Sequence, residues 1–143
     1  MIRTDYHTRL LAPKTRSEVV NELCLLVTHK FKGEFGIICT GVSGMIGGMV
    51  ADRLHKPIMI VRKEGDKCHS AYVVEHDLKI RRWVFIDDMT EEGKTMRRVL
   101  RLMRENDCGE CLAAIMYTGL TNSKRIGGVR IIPLATEINF SEI

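Results

Sequence analysis

The feature that most constrains the fold is a series of short, nearly continuous apolar runs separated by stretches with helical spacing. The apolar runs are 35–40, 57–61, 83–86, 111–116 and 129–133. Such runs are typical of strands buried on both faces of a parallel sheet. Between them lie three stretches in which apolar residues recur three and four apart, as in amphipathic helices. One ends near 33, the next ends near 54, and the third covers 95–104. The alternation predicts an α/β fold, with a central, mainly parallel sheet flanked by helices.

Local signals refine two of these elements. The segment Thr15–Glu18 has the spacing of a capping box, which predicts that the first helix begins there and ends near Gly33. The polar stretch 62–82 contains one weakly strand-like segment, 71–74.

The length and charge of the chain limit the number of its domains and the kinds of partner it can bind. Its 143 residues contain no repeat and no Pro/Gly/Ser-rich linker, which predicts one domain over 1–143. The net charge of +4 is dispersed, so it suits an anionic small molecule and no nucleic acid. No apolar run reaches the roughly 20 residues of a membrane span, and Met1–Asp5 opens no signal peptide, so we expect a cytoplasmic protein without a membrane partner.

The cysteines favour free thiols. Their number, five, is odd, and they are scattered among apolar stretches. Cys108 and Cys111 form one C-x-x-C, but zinc needs a second pair of ligands at similar spacing, and the sequence has none.

The loop 87–95 is the strongest candidate for a binding site, because ligands of parallel sheets bind beyond the carboxyl ends of the strands. The backbone N–H groups at the start of the following helix attract phosphate, and Gly93 lets the chain approach an anion closely. Asp87 and Asp88 can hold ribose hydroxyls directly or through Mg²⁺. The competing interpretation is an N-cap in a solvated acidic turn. A P-loop is excluded, because Asp88 occupies the position of its first glycine.

Two segments resemble the type I phosphoribosyltransferases. The segment 84–96 is similar to their phosphoribosyl-pyrophosphate motif: four apolar residues, two acids, a short turn, a glycine and a threonine. Its Gly-Lys-Thr-Met at 93–96 resembles the hypoxanthine–guanine branch. The segment 40–63 resembles the adenine and orotate enzymes, with a strand, a glycine loop, a helix, a strand and then Arg-Lys. The resemblance spans roughly 35–118.

The resemblance implies a role for each part of the site. The pyrophosphate would contact the backbone of Val42, Ser43 and Gly44, with positive charge from Arg62 and Lys63. The ribose hydroxyls and Mg²⁺, directly or through water, would be held by Asp87 and Asp88, which would also stabilise charge in the reaction. The 5′-phosphate would contact the turn Thr90, Glu92, Gly93, Lys94 and Thr95. Glu91 would assist proton removal from the base, and a short flexible lid would include Ser70, Ala71, Tyr72 and Glu75.

The implied activity is transfer of ribose 5-phosphate from phosphoribosyl pyrophosphate to a nucleobase, a purine being favoured over a pyrimidine, with release of pyrophosphate. The resemblance also implies a homodimer, and the basic helix face formed by Arg97, Arg98, Arg101 and Arg104 would be its interface or a solvated surface.

The alternative is a non-catalytic regulator that binds a nucleotide or sugar phosphate on the same fold. It is suggested by Glu92, because a carboxylate facing the 5′-phosphate at about 4 Å would cost about 4 kcal/mol. Glu92 avoids this cost if it rotates outward or pairs with Lys94 or Arg97.

Overall fold

A computed structural model describes residues 2–3, 7–66, 72–90, 92–121 and 123–134. Within these ranges, seven strands form one sheet in the order β3-β2-β1-β4-β5-β7-β6. The strands are β1 (Gly36–Cys39), β2 (Ile58–Val61), β3 (Val74–Glu75), β4 (Arg82–Thr90), β5 (Glu110–Thr121), β6 (Arg125–Ile126) and β7 (Val129–Pro133). The five central strands are parallel, and the edge strands β3 and β6 are antiparallel to their neighbours.

The described helices cover both faces of this sheet. They are α1 (Thr8–Leu11), α2 (Pro13–Lys30), α3 (Ser43–Leu54) and α4 (Lys94–Glu105). Alternate residues of the central strands point to opposite faces. On one face, Ile37, Val84 and Ile115 pack with α2 and α3. On the other face, Ile38, Phe85 and Met116 pack with α4. The predicted α/β fold, a mainly parallel sheet with helices on both faces, is thereby confirmed.

The predicted strands and helices are present, with changes at their ends. β4 and β5 continue to Thr90 and Thr121, because the two strands pair beyond the predicted runs. The short elements α1 and β6 have too few residues to show a period and were not predicted.

The capping-box prediction was wrong. The helix begins at Pro13, whose fixed φ suits a first turn. The Thr15 hydroxyl donates to the carbonyl of Ala12 and caps no amide.

The prediction that β2 is buried on both faces was also wrong. Ile58 and Ile60 are 39% and 44% exposed, whereas Met59 and Val61 are buried. Ile58 and Ile60 are exposed because α3 packs mainly over β1 and β4 and covers little of the neighbouring β2.

None of the helices among the described residues has the length and apolar character to cross a membrane.

Candidate functional site

Two adjacent acids, Asp87 and Asp88, lie toward the carboxyl end of the central strand β4. Asp87 is only 6% exposed, and its carboxylate accepts a hydrogen bond from the backbone amide of Asp88 at 3.0 Å. The acids therefore lie where ligands of parallel sheets bind.

Asp87 is held by the first residue of α3. The hydroxyl of Ser43 donates to Asp87 Oδ1 at 2.6 Å, and both side chains are buried. Burial raises the pKa of Asp87 to about 6; the Ser43 hydrogen bond opposes this shift, and the charge of Asp88 adds to it. A cation or hydrogen-bond donor near Asp87 is thus favoured at neutral pH.

Two residues from other parts of the fold lie against Asp88. The Thr118 hydroxyl donates to the backbone carbonyl of Asp88, which joins β5 to β4 at this point. The imidazole Nε2 of His7 lies 3.5 Å from Asp88 Oδ2, and both side chains are 19% exposed. Residues 7–12, referred to as the N-terminal segment, therefore lie along one side of the acid pair.

A lysine that follows β2, Lys63, passes over the loop between β1 and α3 and lies beside the acids. Gly41 has φ +59°, and a Cβ there would lie 2.4 Å from Cε of Lys63. A glycine at this position lets the Lys63 side chain pass close to the loop backbone. The amide of Gly44 donates to the carbonyls of Thr40 and Gly41, which fixes the turn into α3.

The start of α4 also depends on a glycine. Gly93 has φ +76°, and a Cβ there would lie 2.8 Å from Cδ1 of Ile126. No side chain among the described residues caps this helix. The backbone N–H groups of its first turn, which includes Thr95, can therefore donate hydrogen bonds to an anion.

These elements enclose a cavity of about 140 Å³. Its walls are His7, Thr40, Val42, Ser43, Lys63, Asp87, Asp88 and Thr95. A more open groove of about 870 Å³ adjoins it along β2, and Val42, Gly44, Arg62 and Lys63 line this groove. The loop predicted to contact pyrophosphate, one of the two predicted basic residues, both acids and the threonine of the turn thus lie around one cavity.

Other candidate residues lie outside the smaller cavity. Arg62 lies in the groove and pairs with Glu75 of β3 at 2.6 Å. Glu92 pairs with Lys94 at 3.1 Å, and these side chains are 70% and 86% exposed, so Glu92 does point outward.

The remaining candidates are described only in part. Tyr72 is 69% exposed. The backbone of Thr90 ends β4. Glu91, Ser70 and Ala71 lie outside the described residues.

Sequence reasoning missed His7 and Thr40 as parts of the site. Thr40 directly follows β1, so its position at a strand end was a usable signal. No local pattern marks His7, because it meets Asp88 only through the fold.

The two carboxylates suit Mg²⁺ better than a metal that needs a full protein cage. Mg²⁺ prefers oxygen ligands and is commonly held by one or two carboxylates together with phosphate oxygens and water. Among the described residues, no group of three or more His, Cys, Asp or Glu side chains could hold a metal. Asp87 and Asp88 offer carboxylate oxygens of the kind that hold Mg²⁺ in this way.

Comparison with solved structures identifies the class of fold. The orotate phosphoribosyltransferase of Aeropyrum pernix is similar with a TM-score of 0.70 and 22% identity, over 90% of this chain and 75% of that chain. The adenine phosphoribosyltransferase of Saccharomyces cerevisiae, solved with an imino-altritol bisphosphate and adenine, has a TM-score of 0.68 and 16% identity, over 94% and 87% of the two chains. The adenine phosphoribosyltransferase of Thermoanaerobacter pseudethanolicus has a TM-score of 0.67 and 20% identity, over 87% and 81%.

The chain therefore has the type I phosphoribosyltransferase fold. No protein-family model and no curated protein sequence matches it.

Proposed function

We propose that this protein is a phosphoribosyltransferase, which transfers ribose 5-phosphate from phosphoribosyl pyrophosphate to a nucleobase and releases pyrophosphate. The observation that carries the proposal is the 140 Å³ cavity, in which Asp87 and Asp88 lie with Ser43, Lys63 and Thr95. It combines acceptors for a ribose diol with donors for phosphate groups on both sides of the acids.

Each wall has a chemical role in this proposal. The acids accept hydrogen bonds from the ribose hydroxyls and stabilise positive charge that develops on the sugar as the bond to pyrophosphate breaks. The α3 loop and Lys63 hold the departing pyrophosphate. Thr95 and the first-turn amides of α4 hold the 5′-phosphate. Mg²⁺ would be held by Asp87 and Asp88, directly or through water, and would neutralise charge on the pyrophosphate.

The lid and the proton acceptor complete the proposal. The segment that includes Ser70, Ala71, Tyr72 and Glu75 would cover the sugar and exclude water while the bond from the anomeric carbon to pyrophosphate breaks and the bond to the base nitrogen forms. Glu91, in the turn after β4, would assist removal of the proton from the base.

The nucleobase has to be found by experiment. The similar solved structures are named as adenine and orotate phosphoribosyltransferases, and adenine is a purine whereas orotate is a pyrimidine. We propose a purine as the first choice, to be tested against orotate in the same assay.

We also propose a homodimer. Three apolar side chains that line the groove are well exposed, Val42 at 65%, Ile58 at 39% and Ile60 at 44%, and Met45 in the first turn of α3 is 50% exposed. An apolar strip of this kind suits a subunit interface better than the basic face of α4 does. Light scattering on the native protein and on Ile60→Lys tests this, with Arg101→Glu on α4 as the matched control.

The test of function is calorimetric titration of phosphoribosyl pyrophosphate, with and without Mg²⁺, followed by assays with labelled adenine, hypoxanthine, guanine and orotate. We expect magnesium-dependent binding and formation of one nucleotide. Asp88→Asn should lower turnover by about 100-fold or more while the protein stays folded. Binding without turnover for any base would favour the non-catalytic regulator, and no binding would overturn the proposal.

A further inference from the structure

Thr40 lies where the acid cavity opens into the groove along β2. It directly follows β1 and is only 5% exposed. Three of the described residues line both the 140 Å³ cavity and the 870 Å³ groove, namely Thr40, Val42 and Lys63. Of these three, Thr40 alone carries a hydroxyl group, so this hydroxyl belongs to the passage between the two spaces.

The hydroxyl of Thr40 has no partner in the part of the chain that the structure describes. The backbone carbonyl of Thr40 accepts a hydrogen bond from the amide of Gly44 at 3.1 Å, but no described residue bonds to its side chain. Nor is the hydroxyl sealed from water, as a fully enclosed oxygen without a partner would be. The spaces that it can reach are the cavity and the groove.

An unpaired hydroxyl at this depth does not help the chain to fold. A nearly buried hydroxyl that loses its bonds to water without gaining a partner is less favourable than an apolar group of the same shape. Valine has that shape, and it would continue the buried run Gly36–Cys39. A local choice that opposes stability is expected at a functional site.

The groups around Thr40 favour an anionic ligand. Lys63 passes over the backbone of Gly41 and forms no ion pair with a described residue. The backbone amides of Val42 and Ser43 donate to no backbone carbonyl among the described residues. An ammonium group, two amides and a hydroxyl are all donors, and donors that converge in this way suit the oxygens of a phosphate group.

We infer that Thr40 is a direct ligand of the pyrophosphate group: its hydroxyl donates to an oxygen of the phosphate that is attached to the anomeric carbon. The identity of this ligand rests on the proposed function. The inference adds a side chain to a loop that otherwise contacts pyrophosphate through its backbone.

The same bond would serve the reaction. When the bond from the anomeric carbon to oxygen breaks, its electron pair stays on the pyrophosphate, and the base nitrogen forms the new bond to carbon. Thr40 keeps its proton throughout. Its hydrogen bond strengthens as negative charge develops on the departing oxygen.

The test separates the hydroxyl from the shape of the side chain. Thr40→Val keeps the shape and removes the donor, whereas Thr40→Ser keeps the donor. In calorimetric titrations of inorganic pyrophosphate with Mg²⁺, we expect Thr40→Val to bind about tenfold more weakly than the native protein. Thr40→Ser should recover most of this loss. Thr28→Val, on the exposed surface of α2, should bind as the native protein does.

Urea unfolding without ligand excludes a structural role. Thr40→Val should be at least as stable as the native protein, because it removes a hydroxyl that has no partner in the fold. A clear loss of stability would mean that the hydroxyl bonds within the protein, and would overturn its role as a ligand. Unchanged pyrophosphate binding in Thr40→Val, or equal losses in the Val and Ser variants, would overturn it as well.

The outcomes for Thr40 and for the proposed function are distinct. A native protein that binds pyrophosphate more tightly than Thr40→Val does, but forms no nucleotide with any base, would overturn the transferase and leave the role of Thr40 established. Nucleotide formation by the native protein, with unchanged pyrophosphate binding in Thr40→Val, would overturn the role of Thr40 alone. A native protein that binds no pyrophosphate would also overturn that role.

Discussion

The hydroxyl of Ser43 donates to Asp87 across 44 residues of sequence, at 2.6 Å. This bond joins the first residue of α3 to the carboxyl end of β4, and so connects the loop proposed for pyrophosphate with the acids proposed for ribose. A ligand that contacts the loop therefore acts on the surroundings of Asp87. Burial of the Asp87 carboxylate carries an electrostatic cost, which the hydrogen bond from Ser43 reduces only in part.

That cost predicts how stability depends on pH. The pKa of Asp87 is raised by burial from an ordinary 3.8 to about 6 in the folded protein. Below the ordinary value the carboxyl is neutral in both states and costs nothing. As the pH rises through 6, the folded protein must ionise a buried group, so stability is lost.

Asp87→Asn removes this titration and keeps an oxygen that can accept from Ser43. At pH 8 we expect the variant to be more stable to urea than the native protein by on the order of 1 to 3 kcal/mol, and at pH 4 by nearly nothing. Asp52→Asn, on the exposed surface of α3, should show no such pH-dependent gain. An equal difference at both pH values would contradict the assignment of the cost to Asp87.

The pair of Arg62 and Glu75 predicts competition between the protein and its ligand. Glu75 lies in β3, and its carboxylate contacts Arg62 at 2.6 Å in a partly exposed position. Pyrophosphate that uses Arg62 must weaken this contact. Glu75→Gln should therefore strengthen pyrophosphate binding by about two- to fivefold, the range expected when a partly exposed ion pair is lost.

Calorimetric titration of pyrophosphate measures this effect. Glu34→Gln is the matched control, because it removes the same charge at an exposed site away from the groove. Equal strengthening in both variants would point to overall charge instead of Arg62, and weaker binding in Glu75→Gln would show that Glu75 supports the site.

Substitution by alanine should change the free energy of unfolding in opposite directions at two glycines, Gly93 and Gly48. At Gly93 a side chain meets a left-handed φ of +76° and would approach Ile126 to 2.8 Å. Gly93→Ala should lower the free energy of unfolding by about 1 to 3 kcal/mol and weaken phosphate binding at α4. At Gly48, inside α3, a Cβ would meet no atom within 4 Å. Gly48→Ala should raise stability by about 0.5 to 1 kcal/mol.

Urea unfolding of the two variants decides the point. If Gly93→Ala were as stable as the native protein, the left-handed entry into α4 would not be required. The Gly48 variant excludes a general intolerance of this chain to alanine.

The central part of the fold was predictable because its signals are local. Buried strands such as 83–86 are continuous apolar runs. Gly93 stands in the turn between a strand and a helix, where few other residue types can adopt the left-handed conformation that the turn requires. Ile58 and Ile60 misled the sequence argument, because the same apolar run suits a strand covered on one face or on both. The offset of α3 toward β1 and β4 leaves one of those faces open, and this offset is a tertiary property.

The site was predictable to a similar extent. Asp87, Asp88 and Thr95 follow from the order of strand, turn and helix. His7 reaches Asp88 only because Leu10 and Arg9 anchor the N-terminal segment on α2, and no periodicity records such a contact. The outward direction of Glu92 likewise depends on its pairing with Lys94.

The orientation of Glu92 gives the last prediction. A carboxylate directed at the 5′-phosphate would oppose binding strongly, but this side chain is 70% exposed and pairs with Lys94 in solvent. Solvent and salt screen a charge in that position. Glu92→Thr should therefore change the affinity for phosphoribosyl pyrophosphate by less than about threefold, whereas Thr95→Val, which removes a hydroxyl from the cavity wall, should weaken it by about tenfold. Titration of both variants at low and at physiological salt checks this. Tenfold tighter binding in Glu92→Thr would mean that the turn rearranges in the native protein and brings the carboxylate to the phosphate. Glu92 would then lower the affinity for phosphoribosyl pyrophosphate.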